Sequence, residues 1–176
     1  MHETKRDISI PMSEAASKSL LIAVPIAIIQ VIPFFLIHGY PAIPANSNII
    51  IYGFILLFGI LIHELIHMFC WAFFAKKPLS AFKLGFQWKS LTPYAHCKEP
   101  MDIQAYRIGS FAPGLFLGIL PWIVSLVTGD ILLFFFGFLY TTAAGGDFLI
   151  LWIIRNVKPN TLVEDHPTNA GCYIIE

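Results

Sequence analysis

The sequence predicts an all-α integral membrane protein of four transmembrane helices, with a small cytoplasmic β-hairpin or loop element between the second and third. Three observations carry this. Hydrophobic residues make up 57% of the 176 and charged residues 12%, too apolar and too weakly charged for an ordinary soluble domain. Four stretches reach the roughly 20 apolar residues that a helix needs to cross about 30 Å of hydrocarbon. All eleven basic residues fall on one side once those stretches are laid across a bilayer. Little chain is left over, so residues 1–176 read as a single membrane domain.

The elements follow in order. Residues 1–19 are polar, with no pattern long enough to mark a domain. The first span, 20–38, is longer than the roughly 7–15-residue apolar core of a signal peptide and lacks a convincing cleavage site, so it reads as an uncleaved span. The second covers 49–75. Residues 76–102 mix aromatic and β-favouring residues without helical spacing and contain Gly85 and Pro93, which predicts a short hairpin or two against the cytoplasmic face. The third span, 103–127, holds Pro113 and Pro121; each removes a backbone donor, which membrane helices tolerate where neighbours satisfy the freed carbonyls. The fourth is 131–154, and the tail "RNVKPNTLVEDHPTNAGCYIIE" shows turn signals but no evident fold.

Charge placement gives orientation. Lys5, Arg6 and Lys18 precede the first span, Lys76, Lys77, Lys83, Lys89, Lys98 and Arg107 lie around the 76–102 segment, and Arg155 and Lys158 follow the fourth; the loops at 39–48 and 128–130 have no basic residue. The positive-inside rule therefore places both termini in the cytoplasm of a multi-pass cell-membrane protein. Cys70, Cys97 and Cys172 then face a reducing side or the bilayer, which argues against a disulfide. The partners expected are the lipid bilayer and a membrane-protein or peptide substrate, with no nucleic acid.

The chemistry is concentrated in "ILIHELIHMFC", residues 60–70. His63 and His67, one helical turn apart, can close on one metal ion, and Glu64 projects beside them. This is the HExxH arrangement, with two zinc-binding imidazoles and a carboxylate that works on the attacking water. A carboxylate near a bilayer centre costs roughly 2.5–3.5 kcal/mol on insertion scales and so invites a functional reading over an interhelical hydrogen-bond cluster. A catalytic zinc needs a third protein ligand. Asp147 is the acidic residue deep within another span, and counting back from Lys76 and Arg155 puts His67 and Asp147 both roughly 12–14 Å from the cytoplasmic ends of their helices. Gly145 and Gly146 beside it are expected to let this helix approach the zinc helix, as small residues do in membrane packing. Cys70, His96 and His166 are weaker candidates, the two histidines being expected to sit solvated in loops.

Together "HELIH", "AHCKEP", "GGDFLILW" and "DHPTNAGC" resemble a family of small zincin-like membrane peptidases, over about residues 50–173, and the layout is similar to the site-2 protease group of intramembrane zinc metalloproteases. It departs from that group in placing the Gly pair before Asp147 rather than after, and in offering Ala112-Pro113-Gly114 where an Asn–Pro element is usual. The resemblance and the residues imply the same function: a zinc-dependent peptidase (Zn2+ held by His63, His67 and Asp147) in which Glu64 is the general base and the 76–102 segment pairs with an unwound substrate strand. The rival is a non-catalytic zinc-binding membrane scaffold or ion-handling protein, which has no need of Glu64.

Overall fold

The computed structural model describes residues 4–88 and 92–176; Lys89, one of the charges counted for orientation, lies outside them. Four helical runs are long and apolar enough to cross a membrane: Met12–His38, Ile49–Phe74, Ile103–Thr128 and Ile131–Ile153. Each start has a local cause. α1 (Met12–His38) begins after Pro11, with Glu14 in its first turn paired to Lys18 at 2.7 Å. α2 (Ile49–Phe74) is capped by Asn48, whose side chain accepts from the N–H groups of Ile50 and Ile51, satisfying donors that the first turn leaves free. Asp102 and Asp130 do the same for the third and fourth runs.

The first run starts eight residues earlier than its apolar stretch because the polar residues ahead of Leu20 are good enough helix formers to continue it. Ser17 and Ser19 satisfy their hydroxyls on the carbonyls of Glu14 and Ala16. The third run is three pieces: α3 (Ile103–Pro113), a π-helical segment Gly114–Ile119, and α4 (Leu120–Thr128). Pro113 just before the π segment and Pro121 two residues past its end account for the local change of pitch. The fourth breaks at Ala144 into α5 (Ile131–Ala143) and α6 (Gly145–Ile153).

The all-α expectation needs correcting, since the described residues also form strands. β2 (Phe82–Gln87) and β3 (Thr92–Cys97) make the antiparallel hairpin expected within 76–102. A four-stranded antiparallel sheet in the order β1-β6-β5-β4 was not foreseen; it joins β1 (Lys5–Ile10), β4 (Met101–Asp102), β5 (Leu162–Asp165) and β6 (Ala170–Ile175). The polar N-terminus and the tail thus fold on each other. Between sheet and helices lies a core that includes Met101, Ile103, Ile154, Val163 and Cys172, each 2% exposed or less.

The helices turn their remaining apolar surface outward. Leu21, Leu36 and Phe73 are each more than 75% exposed, and only 6% of the apolar window of α2 is buried within the protein. That far exceeds the apolar patches a soluble monomer shows. Helix α2 is held along one side, by α3 and β3, and by α5. Tyr140 of α5 donates its hydroxyl to the Leu56 carbonyl, and Gly59 gives it room, because a Cβ there would overlap the tyrosine ring.

Candidate metal centre

His63 and His67 project from the inner face of α2 toward Asp147 in the first turn of α6. His63 Nε2 lies 3.1 Å from Asp147 Oδ2, His67 Nε2 lies 3.4 Å from Asp147 Oδ1, and the two Nε2 atoms are 3.2 Å apart. Among the described residues, these three form the group whose ligand atoms converge, all within 4.8 Å of one another. Four ligands at about 2.0–2.1 Å around a tetrahedral zinc are spaced by roughly 3.3–3.4 Å. The spacing found here fits one face of that tetrahedron.

The donor chemistry fits as well. His67 Nδ1 lies 2.9 Å from the carbonyl oxygen of Gly109 on α3. A carbonyl only accepts, so Nδ1 carries a proton, and Nε2 is the ring atom that faces the cluster, where the neutral ring would present its lone pair to a metal. This is the outer-shell hydrogen bond that metal-binding histidines usually make. The ring is also sandwiched: it stacks on Trp71 at 5.2 Å, and Trp71 stacks on Tyr106 at 5.6 Å. Gly109 permits the approach, since a Cβ there would stand 2.1 Å from Trp71 Cδ1.

Glu64 is outside the converging group, 9% exposed. The backbone N–H of Ala95, in β3, lies beside it. It opens on a cleft of about 250 Å³ between α2 and the hairpin, walled by Leu57, Ile60, Leu61, Leu84, Phe86 and Tyr94. In β3, Pro93 has no N–H to give, and Ala95, two residues on, shares its edge of the strand. That edge faces Glu64 rather than β2.

The glycine pair behaves differently from expectation. Gly145 faces Ala23 and Ser19 of α1, whereas a Cβ on Gly146 would meet nothing within 4 Å, so neither brings α6 against α2. The weaker ligand candidates stay out of the cluster. Cys70 is half-buried and free. His96 and His166 are not solvated: His96 Nδ1 bonds to Asp165 Oδ2 at 2.8 Å, and the side chain of His166, 7% exposed, accepts the N–H groups of Thr168 and Asn169 and bonds to the Tyr173 hydroxyl. The motifs "AHCKEP" and "DHPTNAGC" thus meet at the His96–Asp165 pair, where the Tyr106 hydroxyl also donates to Asp165.

Cys97 and Cys172 are free and fully buried. Burial pushes both thiols up, Cys172 to about 12 with the Asp165 and Asp7 carboxylates adding to the effect. Both stay protonated near neutral pH and offer no thiolate. The groups that sequence reasoning missed, the Gly109 carbonyl and the Ala95 N–H, are backbone atoms that no side chain announces.

No curated protein and no solved structure matches the chain. A family model does, and it spans the histidine pair, the hairpin, the Gly109 carbonyl and Asp147: over residues 56–162 the chain matches, and belongs to, the family described as "Putative zincin peptidase".

Proposed function

We propose that this protein is an intramembrane zinc metallopeptidase, similar in layout to site-2 proteases, that hydrolyses peptide bonds of membrane-protein or peptide substrates. The observation that carries the reading is the convergence of His63, His67 and Asp147 with Glu64 beside the group but not in it. His63, His67 and Asp147 would hold the metal. Zinc bound there would polarise a scissile carbonyl and acidify a water. Glu64 takes the proton from the attacking water and returns it to the leaving amine nitrogen. The Ala95 N–H lies beside the carboxylate, and the apolar walls of the cleft receive an apolar stretch of substrate while displacing water. An unwound strand would add to the hairpin by main-chain hydrogen bonds, at groups other than the Ala95 N–H, which faces Glu64.

A scaffold or ion-handling role would leave Glu64 without work, whereas hydrolysis requires a base at that position. The direct test is metal removal. Chelation should abolish cleavage of a single-span reporter in liposomes, and one equivalent of zinc should restore it. Cleavage that persists with zinc fully stripped would end the proposal.

The same reading makes it a multi-pass cell-membrane protein with both termini in the cytoplasm. The distribution of basic residues supports this, as does the β1-β6-β5-β4 sheet, which gathers the N-terminus, the residues before α3 and the tail at one end of the bundle. In intact cells a cysteine at Asn46 should react with an impermeant thiol reagent, while tags at either terminus should stay protected. Protection of position 46 with labelling of the tail would reverse the topology.

A further inference from the structure

We infer that Pro113 is a positioning residue for the metal centre: by withholding a backbone N–H from the Gly109 carbonyl, it leaves that carbonyl to orient His67. The inference rests on the metal-binding reading above and concerns a residue that touches neither metal nor substrate.

In an α-helix the carbonyl of residue 109 receives the N–H of residue 113. Residue 113 is proline, inside α3, and has no N–H. The next possible donor, Gly114, gives its N–H to the Phe111 carbonyl instead. Gly109 therefore lacks its α-helical partner, and a buried carbonyl left unpaired is costly. The group that satisfies it is His67 Nδ1–H at 2.9 Å. The proline ring also crowds the carbonyl four residues before it, tilting it off the helix axis, here toward α2. Glycine at 109 completes the arrangement, because its missing Cβ is what admits Trp71 and lets α2 and α3 close up.

The consequence is a fixed ring orientation. With Nδ1–H held by a carbonyl that no α-helical donor shares, Nε2 stays turned toward His63 and Asp147. If residue 113 carried an N–H, that donor would draw the carbonyl back to the axis, weakening the imidazole bond and letting the ring turn away. Proline at 113 thus trades helix stability for ligand orientation.

That trade gives a signature separating orientation from ordinary packing. In Pro113→Ala, full-length protein in detergent or nanodiscs should melt at the same temperature as wild type or higher when metal-free, because alanine restores a helix hydrogen bond. Its zinc Kd should nevertheless rise roughly ten- to hundredfold, the range typical of losing an outer-shell partner. In the metal-free protein the 1H signal of the His67 Nδ1–H should move upfield and exchange faster with water, as its hydrogen bond to the Gly109 carbonyl weakens. Pro121→Ala, in the half of the span that packs on α1 and α5, should leave zinc affinity and the Nδ1–H signal unchanged. An unchanged Kd in Pro113→Ala, zinc loss that merely tracks a lower melting temperature, or an equal loss in Pro121→Ala would overturn the inference. Wild type without zinc affinity would sink the metal-binding reading instead, and the Nδ1–H comparison would still decide whether Pro113 frees the carbonyl.

Discussion

Replacing Asp147 by alanine should take the purified protein from about one zinc per chain to a small fraction of that. The carboxylate is the negative charge facing both Nε2 atoms, at 3.1 and 3.4 Å. Without it two neutral imidazoles confront a dication with one ligand missing and no charge neutralised. Loss of an outer-shell partner already costs about 10–100-fold in metal affinity, and a direct ligand should cost at least as much. The alternative donors are poorly placed to compensate: His96 is engaged with Asp165, His166 with Tyr173 and two backbone N–H groups, and Cys70 lies outside the cluster. Metal content by elemental analysis checks this, with Asp147→Asn as a control that keeps the shape and one oxygen. Full zinc retention in Asp147→Ala would place the third ligand elsewhere.

How much of this was readable without a structure depended on the length scale of the signal. The four long apolar helical runs were legible because each holds some twenty apolar residues, a local pattern of the length a bilayer would require and independent of tertiary partners. His63, Glu64 and His67 were legible because their relation is local, one turn of one helix. Asp147 could be found because charge within an apolar run is costly and helix rise converts position in sequence into depth. The convergence at 3.1–3.4 Å agrees with the depths counted for His67 and Asp147.

What escaped depends on partners far apart in sequence. β1 pairs with β6 across the whole chain, Lys5 opposite Ile175, and β5 is the four-residue stretch "LVED"; β5 has no period-2 alternation, in β1 only Asp7 to Ile10 alternates, and each acquires its burial only from the sheet. The glycine pair misled for a related reason, because smallness tells that something approaches closely but not which neighbour does. Gly145 admits α1. His96 and His166 looked like loop residues because the strands that bury them were unseen. One backbone feature did leave a trace: a proline four residues after Gly109 marks a carbonyl without its α-helical donor, although its acceptor role emerges only when α2 lies alongside.

The central claim is that the carboxylate in "HELIH" works as a base on a metal-dependent hydrolysis, and Glu64→Gln tests it with the least disturbance. Glutamine keeps the volume and a carbonyl oxygen beside the Ala95 N–H, but it cannot take a proton from water and pass it to a leaving amine. Because Glu64 lies outside the converging ligands, zinc content should stay near one per chain. Turnover of a single-span reporter that wild type cleaves should fall by the roughly 10²–10⁴-fold expected on losing a general acid–base group. The decisive measurement is therefore the cleavage rate of zinc-replete Glu64→Gln against zinc-replete wild type in the same liposomes. A loss of at least a hundredfold is predicted, and equal rates would contradict the mechanism.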